Sequence, residues 1–298
     1  VIFTMKLLIL GGTRFVGRHL VEAALARGDA VTVFTRGRQP NPWSAAVTAL
    51  TGNRDPGVAP GLAALEQGTW DAVIDLSGYV PRIVRASAAL LAPRVVRYLF
   101  VSSFSVYADA SRPGMTETAA VGTLDDPATE EIGKYYGPLK AACEDVVTGI
   151  FGDRATVVRP GLIVGPFDPT DRFAYWVARF AQPSLLGARP ASAVVPAPRD
   201  RPIQFIDARD LVAWMLELVA TRASGVFNGC APSRQWTFGD LVDALTGAGG
   251  AAGPTPVWID EARLVEMKVT PWTGLPMWIP GTFDDMRGFM EVDCTKAQ

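Results

Sequence analysis

Histidine is nearly missing from this chain: His19 is the single one in 298 residues. That scarcity disfavours a histidine-built zinc centre or a serine–histidine–acid triad. His19 itself falls where the first helix is expected, as a packing or surface residue. Cysteine is scarce too. Cys143, Cys230 and Cys294 stand far apart, forming neither a disulfide framework nor a close ligand pair, so no metal site is expected. Charge of one sign is also lacking. Charged residues make up 19% and the formal net charge is −2, with arginines spread between acidic residues rather than gathered in a basic block. A nucleic-acid partner is therefore not expected. No apolar run is long enough for a membrane helix, because Gly11 and Gly12 end the first one. The opening V-I-F-T-M-K-L-L-I-L lacks the basic leader and processing pattern of a signal peptide. Val1 to Thr4 reads as an extension ahead of the first strand. The expectation is a soluble, cytoplasmic protein without a membrane partner.

What is present is an alternation. Met5 to Leu10 is a continuous apolar strand of the kind covered on both faces, and Phe15 to Arg27 reads as a helix. Ala30 to Thr35, Ala46 to Leu50, Asp71 to Leu76 and Arg97 to Ser102 read as further strands, with a helix containing Ala86 to Leu91. A long helix spans Glu130 to Ile150, followed by a strand at Ala155 to Arg159. This order predicts an α/β fold, a doubly wound parallel Rossmann-type sheet with helices on both faces. A smaller C-terminal lobe follows, with helices at Phe173 to Phe180, Ala208 to Val219 and Phe238 to Leu245. Gly247 to Pro256 reads as a breaker-rich loop. Residues 1–160 are expected to form the dinucleotide-binding core and 161–298 mainly the substrate lobe, with 205–230 returning partly to the core. The Pro/Trp-rich end, including Trp272 and Trp278, reads as an irregular folded cap whose aromatics mostly pack.

The first strand ends in G-G-T-R-F-V-G. Gly11 suits the tight turn, Gly17 suits close approach of helix to sheet, and the helix start can receive phosphate oxygens. Gly11, Thr13, Arg14, Phe15, Val16 and Gly17 are therefore candidate cofactor contacts. Where NAD-selective folds usually carry a carboxylate after the second strand, this chain has Thr35, Arg36 and Arg38. A hydroxyl and two guanidiniums suit the additional phosphate of NADP(H); the alternative is two solvated loop charges. NAD(H) stays open. Asn53 and Asp55, with Arg54 between them, follow the third strand, where a polar group can address the adenine. Asp75, Leu76, Ser77 and Gly78 end another strand at the expected crevice, although a turn alone would explain them. Pro160 and Gly161 end the strand after the long helix.

Tyr136 and Lys140 stand four apart in Y-G-P-L-K, a spacing that puts both on one helical face. A cation there can bring a phenol down from its ordinary pKa of about 10 and let it exchange protons. The alternative is a core aromatic beside a snorkelling cation. Together with the glycine turn and V-S-S-F-S-V-Y, this pattern resembles the short-chain dehydrogenase/reductase superfamily, in its extended, epimerase/dehydratase-like branch. The resemblance implies a catalytic set of Ser103, Tyr136 and Lys140, with Ser102 and Ser105 as lesser alternatives to Ser103. It also implies that Tyr136 and Lys140 touch the cofactor, that Pro160 and Gly161 form a nicotinamide-side loop, and that a homodimer is compatible with the chain; a monomer is not distinguished from it.

The resemblance has breaks. Arg14 replaces the middle glycine of the turn, and G-G-T-R-F also occurs in an atypical subgroup that includes chloroplast stem-loop RNA-binding proteins. Leu162 and Ile203 stand where sugar-nucleotide enzymes commonly place asparagine and arginine, which weakens a nucleotide-sugar substrate. Arg201, Arg172 or Arg189 could meet an anionic substrate, or pair with local acids such as Asp171 or Asp200, the favoured alternative. Phe104 and Ser105 replace the acidic pair of dehydratases, so dehydration is disfavoured. The leading expectation is an NADP-dependent oxidoreductase acting on a small or medium carbonyl or alcohol, with Phe167 to Phe180 and Trp272 to Trp278 making its lobe less sugar-like. An epimerase with tightly held NAD(P), or a non-catalytic cofactor-sensing or RNA-binding protein, are the alternatives.

Overall fold

Five short apolar strands and their crossovers decide the architecture before the C-terminal half enters. The computed structural model describes residues 4–183, 187, 190–231, 235–250 and 253–298. In order come β1 (Lys6–Leu10), α1 (Phe15–Ala26), β2 (Ala30–Thr35), β3 (Val47–Thr51), β4 (Trp70–Asp75), α2 (Pro81–Leu91), β5 (Val95–Val101), α3 (Ile132–Phe151) and β6 (Ala155–Pro160). Next are β7 (Leu162–Val164), α4 (Ala174–Trp176), β8 (Ser192–Pro196), β9 (Pro202–Ile203), β10 (Phe205–Asp207), α5 (Ala208–Ala220) and β11 (Gly225–Gly229). The chain ends with β12 (Trp236–Thr237), α6 (Phe238–Gly249), β13 (Thr255–Ile259) and α7 (Glu261–Glu266). The central sheet has seven strands in the order β3-β2-β1-β4-β5-β6-β11, every neighbouring pair parallel.

Leu7 to Leu10 are at most 1% exposed, because both faces of β1 are covered. One face packs Leu7 and Ile9 against Leu20 and Ala24 of α1 and Leu211 and Met215 of α5. The other packs Leu8 and Leu10 against Val84 and Leu91 of α2 and Val146 and Val147 of α3. The sheet order reverses between β1 and β4, so a crevice opens at the C-terminal ends of those strands, where ligands of such sheets bind. The C-terminal lobe has its own core around Trp176, Phe180, Phe238, Leu264 and Trp278. Both α5 and β11 belong to the sheet domain, while β8 and β13 pair within the lobe.

Local boundaries differ from expectation where packing overrides pattern. α3 begins at Ile132 and kinks at Tyr135 (φ −117°, ψ 31°), because Pro138 cannot donate into the preceding turn. The helix expected at Phe173 to Phe180 is one short turn, α4, widened into π-type turns over Val177–Ala181. The Gly247 to Pro256 loop is shorter than expected: α6 runs to Gly249 and β13 starts at Thr255. Residues 1–3 and Arg189 lie outside the described residues. Among the described residues no helix is long and apolar enough to cross a membrane.

Candidate active site

Two close approaches of backbone build the site. A Cβ on Gly17 would lie 2.3 Å from the carbonyl oxygen of Gly11 and 2.9 Å from Cα of Gly12, so only glycine lets α1 start directly on the β1 turn. Arg14 caps that start in an extended conformation and is exposed, while Thr13, Phe15 and Val16 are half-buried. The first amides of α1 have no intrahelical acceptor, as at any helix start, and with the glycine cradle they fit a dinucleotide's phosphates. The second approach lies across the crevice. A Cβ on Gly137 would sit 1.9 Å from the carbonyl oxygen of Ser105, and this bare contact presses α3 onto the segment that follows β5. Tyr136 and Lys140 are thereby carried to Ser103.

These residues share one cavity of about 670 Å³. Its sheet side is lined by Phe15, Val16, Leu76, Pro160 and Gly161, together with Ser103, Tyr136 and Lys140. Its lobe side is lined by Asp168, Arg172, Trp272, Trp278, Phe283 and Phe289, among others. The Ser103 hydroxyl accepts from the Ser105 amide at 3.1 Å and donates to the Ser105 hydroxyl at 3.2 Å. Burial raises the Tyr136 phenol above its ordinary range, as does the neighbouring Tyr79, while Ser103 opposes that rise.

Lys140 is buried beside the same cavity wall. It is 2% exposed, and its ammonium donates to the carbonyls of Gly78 at 2.7 Å and Val101 at 2.6 Å. It also lies over the rings of Phe100 and Tyr79. Burial pushes it down to about 8, with the Asp75 carboxylate the strongest opposing influence. The cation is thus held by backbone and aromatics. The neutral phenol is the form that burial favours.

The adenine-side candidates separate into two groups. Thr35 ends β2, and its hydroxyl accepts from the Gly37 amide at 3.2 Å. Arg36 and Arg38 are exposed, and no ion pair engages either among the described residues. Asn53 accepts from the Asp55 amide, whereas Asp55 is spent on Arg82 at 3.0 Å and on the Gly57 amide. Its contact with Arg82 holds its carboxyl at about 2. Ser77 sits at the crevice, bonding the Leu10 carbonyl. Asp75, expected to help shape the crevice wall, is fully buried and does not line the cavity.

Asp75 forms a buried network that sequence reasoning missed. Arg54 grips Asp75 with both terminal nitrogens, Tyr98 donates to Asp75 at 2.7 Å and the Ser77 amide at 3.0 Å. Arg54 also donates to Ser87 on α2. Arg and Asp 21 residues apart carry no sequence signal; the segment that follows β3 brings Arg54 back to the end of β4, two strands away across β2 and β1. Tyr79 was missed as well, though the G-Y step after Ser77 places it beside Tyr136, ring centroids 6.3 Å apart.

Of the arginines weighed between an anionic substrate and local acids, Arg201 is paired and Arg172 lines the cavity. Arg201 is engaged by Glu261 at 2.7 Å and by the carbonyls of Ile279 and Ala197, rather than by Asp171 or Asp200. Phe167 leaves the cavity to lie under Arg18, 3.9 Å from the guanidinium carbon, and His19 bonds the Pro166 carbonyl at 2.8 Å. His19 is thus the packing residue expected. All three cysteines are buried, and burial pushes the Cys143 thiol up to about 12.

Comparison with known proteins agrees with this geometry. The model of the NAD dependent epimerase/dehydratase family matches residues 7–229. The chain is 26% identical over 267 residues to the chloroplast stem-loop binding protein of 41 kDa b of Arabidopsis thaliana, covering 84% of this chain and 64% of that protein. It thus spans less than two thirds of that relative's length. Among solved structures, UDP-glucuronic acid 4-epimerase from Bacillus cereus, in complex with NAD, superposes with a TM-score of 0.65 at 16% identity, covering 95% of this chain and 96% of that one. Human epimerase family protein SDR39U1 (isoform 2), solved with NADPH, gives 0.62 at 18% identity, covering 98% and 92%. These two likenesses are of fold. With three quarters of the sequence inside the family model and the glycine turn, Ser103, Tyr136 and Lys140 placed around one crevice, this chain belongs to the NAD dependent epimerase/dehydratase family.

Proposed function

We propose that the chain catalyses NAD(P)-dependent oxidoreduction at a carbon bearing a hydroxyl or carbonyl oxygen. The observation that carries this is the placement of the Ser103 and Tyr136 hydroxyls in one cavity wall beside buried Lys140. When bound, the nicotinamide supplies or accepts the hydride. Ser103 holds the substrate oxygen by a hydrogen bond. Tyr136, kept neutral by burial, gives its proton to that oxygen as a carbonyl becomes an alcohol. Lys140 fixes the Gly78 and Val101 carbonyls, and through them the two strand ends that border the crevice. Gly11 to Gly17 would hold the pyrophosphate. Thr35, Arg36 and Arg38 would hold the adenosine end, and their unpaired positive charge supports a preference for NADP(H).

The family and a neighbour named as a UDP-glucuronic acid 4-epimerase favour epimerisation as the overall outcome. The largely apolar lobe side of the cavity favours net reduction of a substrate that is not a sugar. The proton and oxygen contacts are common to both. NADPH consumption over a panel of ketones separates them: stoichiometric loss means net reduction, and inversion at a carbinol centre without loss means epimerisation. Phenylalanine at position 136 abolishes either. Stem-loop RNA binding that survives Tyr136→Phe, with no turnover of any substrate in the wild type, would favour the reading named by the Arabidopsis relative instead. A small-molecule substrate, a cytoplasmic setting and either a monomer or a homodimer complete the proposal; sedimentation decides the last.

A further inference from the structure

Among the described residues that line the lobe half of the cavity, Arg172 is the one cation, with Asp168 and Thr170 beside it. Arg172 enters it half-buried, its Nε donating to the Thr170 hydroxyl at 2.9 Å and its guanidinium resting against the Trp272 ring at 5.1 Å. Among the described residues no carboxylate or carbonyl takes its two terminal nitrogens, and both Trp272 and Arg172 line the cavity. A guanidinium fixed by a ring and one hydroxyl presents its free fork in a set direction, the geometry that binds a carboxylate with two hydrogen bonds. Around it stand Trp278, Ile279, Phe283, Met286 and Phe289, an apolar wall that suits a flat ring. The Trp278 indole N–H and one Asp168 oxygen are buried without partners among the described residues.

The charge count limits the occupant. Arg201, another arginine of the lobe, is held by Glu261, and Lys140 is turned to backbone carbonyls at the opposite wall. Asp168 adds a negative charge close enough to Arg172 to oppose the effect of its burial. One guanidinium beside one carboxylate is a poor match for the two or more charges of a diphosphate, whereas its two unengaged nitrogens match the two oxygens of a single carboxylate. Resting on the proposed oxidoreductase activity, we infer that this half-cavity is a subsite for a monoanionic aromatic or alicyclic keto or hydroxy acid, with Arg172 as the carboxylate anchor.

The test uses 4-acetylbenzoate, its uncharged counterpart 4-methylacetophenone, and UDP, titrated by calorimetry into full-length protein saturated with NADP+. A charge-assisted bidentate contact worth at least about 1.4 kcal/mol predicts that 4-acetylbenzoate binds tenfold or more tightly than the neutral ketone. Arg172→Gln should erase that preference while leaving the neutral ketone within about twofold. Arg172→Lys, which keeps the charge and loses the fork, should retain part of it and guards against a folding defect in the first variant. Equal binding of the two ketones, no effect of Arg172→Gln, UDP binding above 4-acetylbenzoate, or binding of neither ketone overturns the subsite. Turnover with NADPH is read in parallel. Correct binding preferences with no turnover leave the subsite standing and sink the redox reading; turnover of both ketones indifferent to Arg172 does the reverse.

Discussion

Replacing Asp75 by asparagine should cost more than its distance from the cavity suggests. Asp75 is fully buried and accepts from four donors: two nitrogens of Arg54, the Tyr98 hydroxyl and the Ser77 amide. An amide can keep the last two contacts, but it cannot neutralise Arg54, whose side chain is 11% exposed. Removing one member of a buried pair leaves the other charge desolvated, about 3–5 kcal/mol, a large share of the ~5–15 kcal/mol that holds a domain together. Arg54→Met alone strands the carboxylate and should cost a similar amount. The double variant Arg54→Met/Asp75→Asn removes both charges and should be more stable than either single. Urea unfolding followed by tryptophan fluorescence measures all four proteins. Asp75 also provides the strongest influence holding Lys140 up against burial. In Asp75→Asn the lysine should therefore fall further below about 8, and the alkaline limb of the kcat–pH profile should move to lower pH. A single-variant cost under about 1 kcal/mol, or a double-variant cost equal to the sum of the singles, would refute the buried-pair argument.

Tyr136→Phe should lower kcat by about 10²–10⁴-fold, the range for a lost general acid, with cofactor affinity by calorimetry nearly unchanged. Reversing charge with Arg36→Glu/Arg38→Glu should weaken NADPH binding more than NADH binding by at least about tenfold, each phosphate contact being charge-assisted; equal weakening would remove the basis for NADP preference. Gly17→Ala puts a Cβ 2.3 Å from the Gly11 carbonyl oxygen, and overpacking of this kind costs about 1–3 kcal/mol, so both the melting temperature and dinucleotide affinity should drop. Lys140 has its proton affinity lowered by burial from 10.5 to about 8. Between those pH values the unfolded chain binds more protons than the folded one, so this group makes stability rise with pH. The full increment is about 3 kcal/mol, and urea melts from pH 8 to 10.5 should show it in the wild type and lose it in Lys140→Met.

The sequence by itself determined the sheet. Short apolar runs alternating with helix-period segments admit few arrangements once crossovers must be right-handed and both faces covered. It also made a candidate set legible, because Tyr136 and Lys140 are four apart on one helix and Ser103 follows the end of β5 by two residues. The glycine turn was legible for the same reason. Tertiary structure alone decided what those groups experience. It turned Lys140 onto the Gly78 and Val101 carbonyls, 62 and 39 residues away. It withdrew Asp75, Asp55 and Arg201 into ion pairs with partners 21, 27 and 60 residues distant. It left Arg172 facing the cavity and sent Phe167 to Arg18. Charges find partners through space, at separations on which no periodicity bears, and a charge's availability to a ligand is what remains after that pairing is complete.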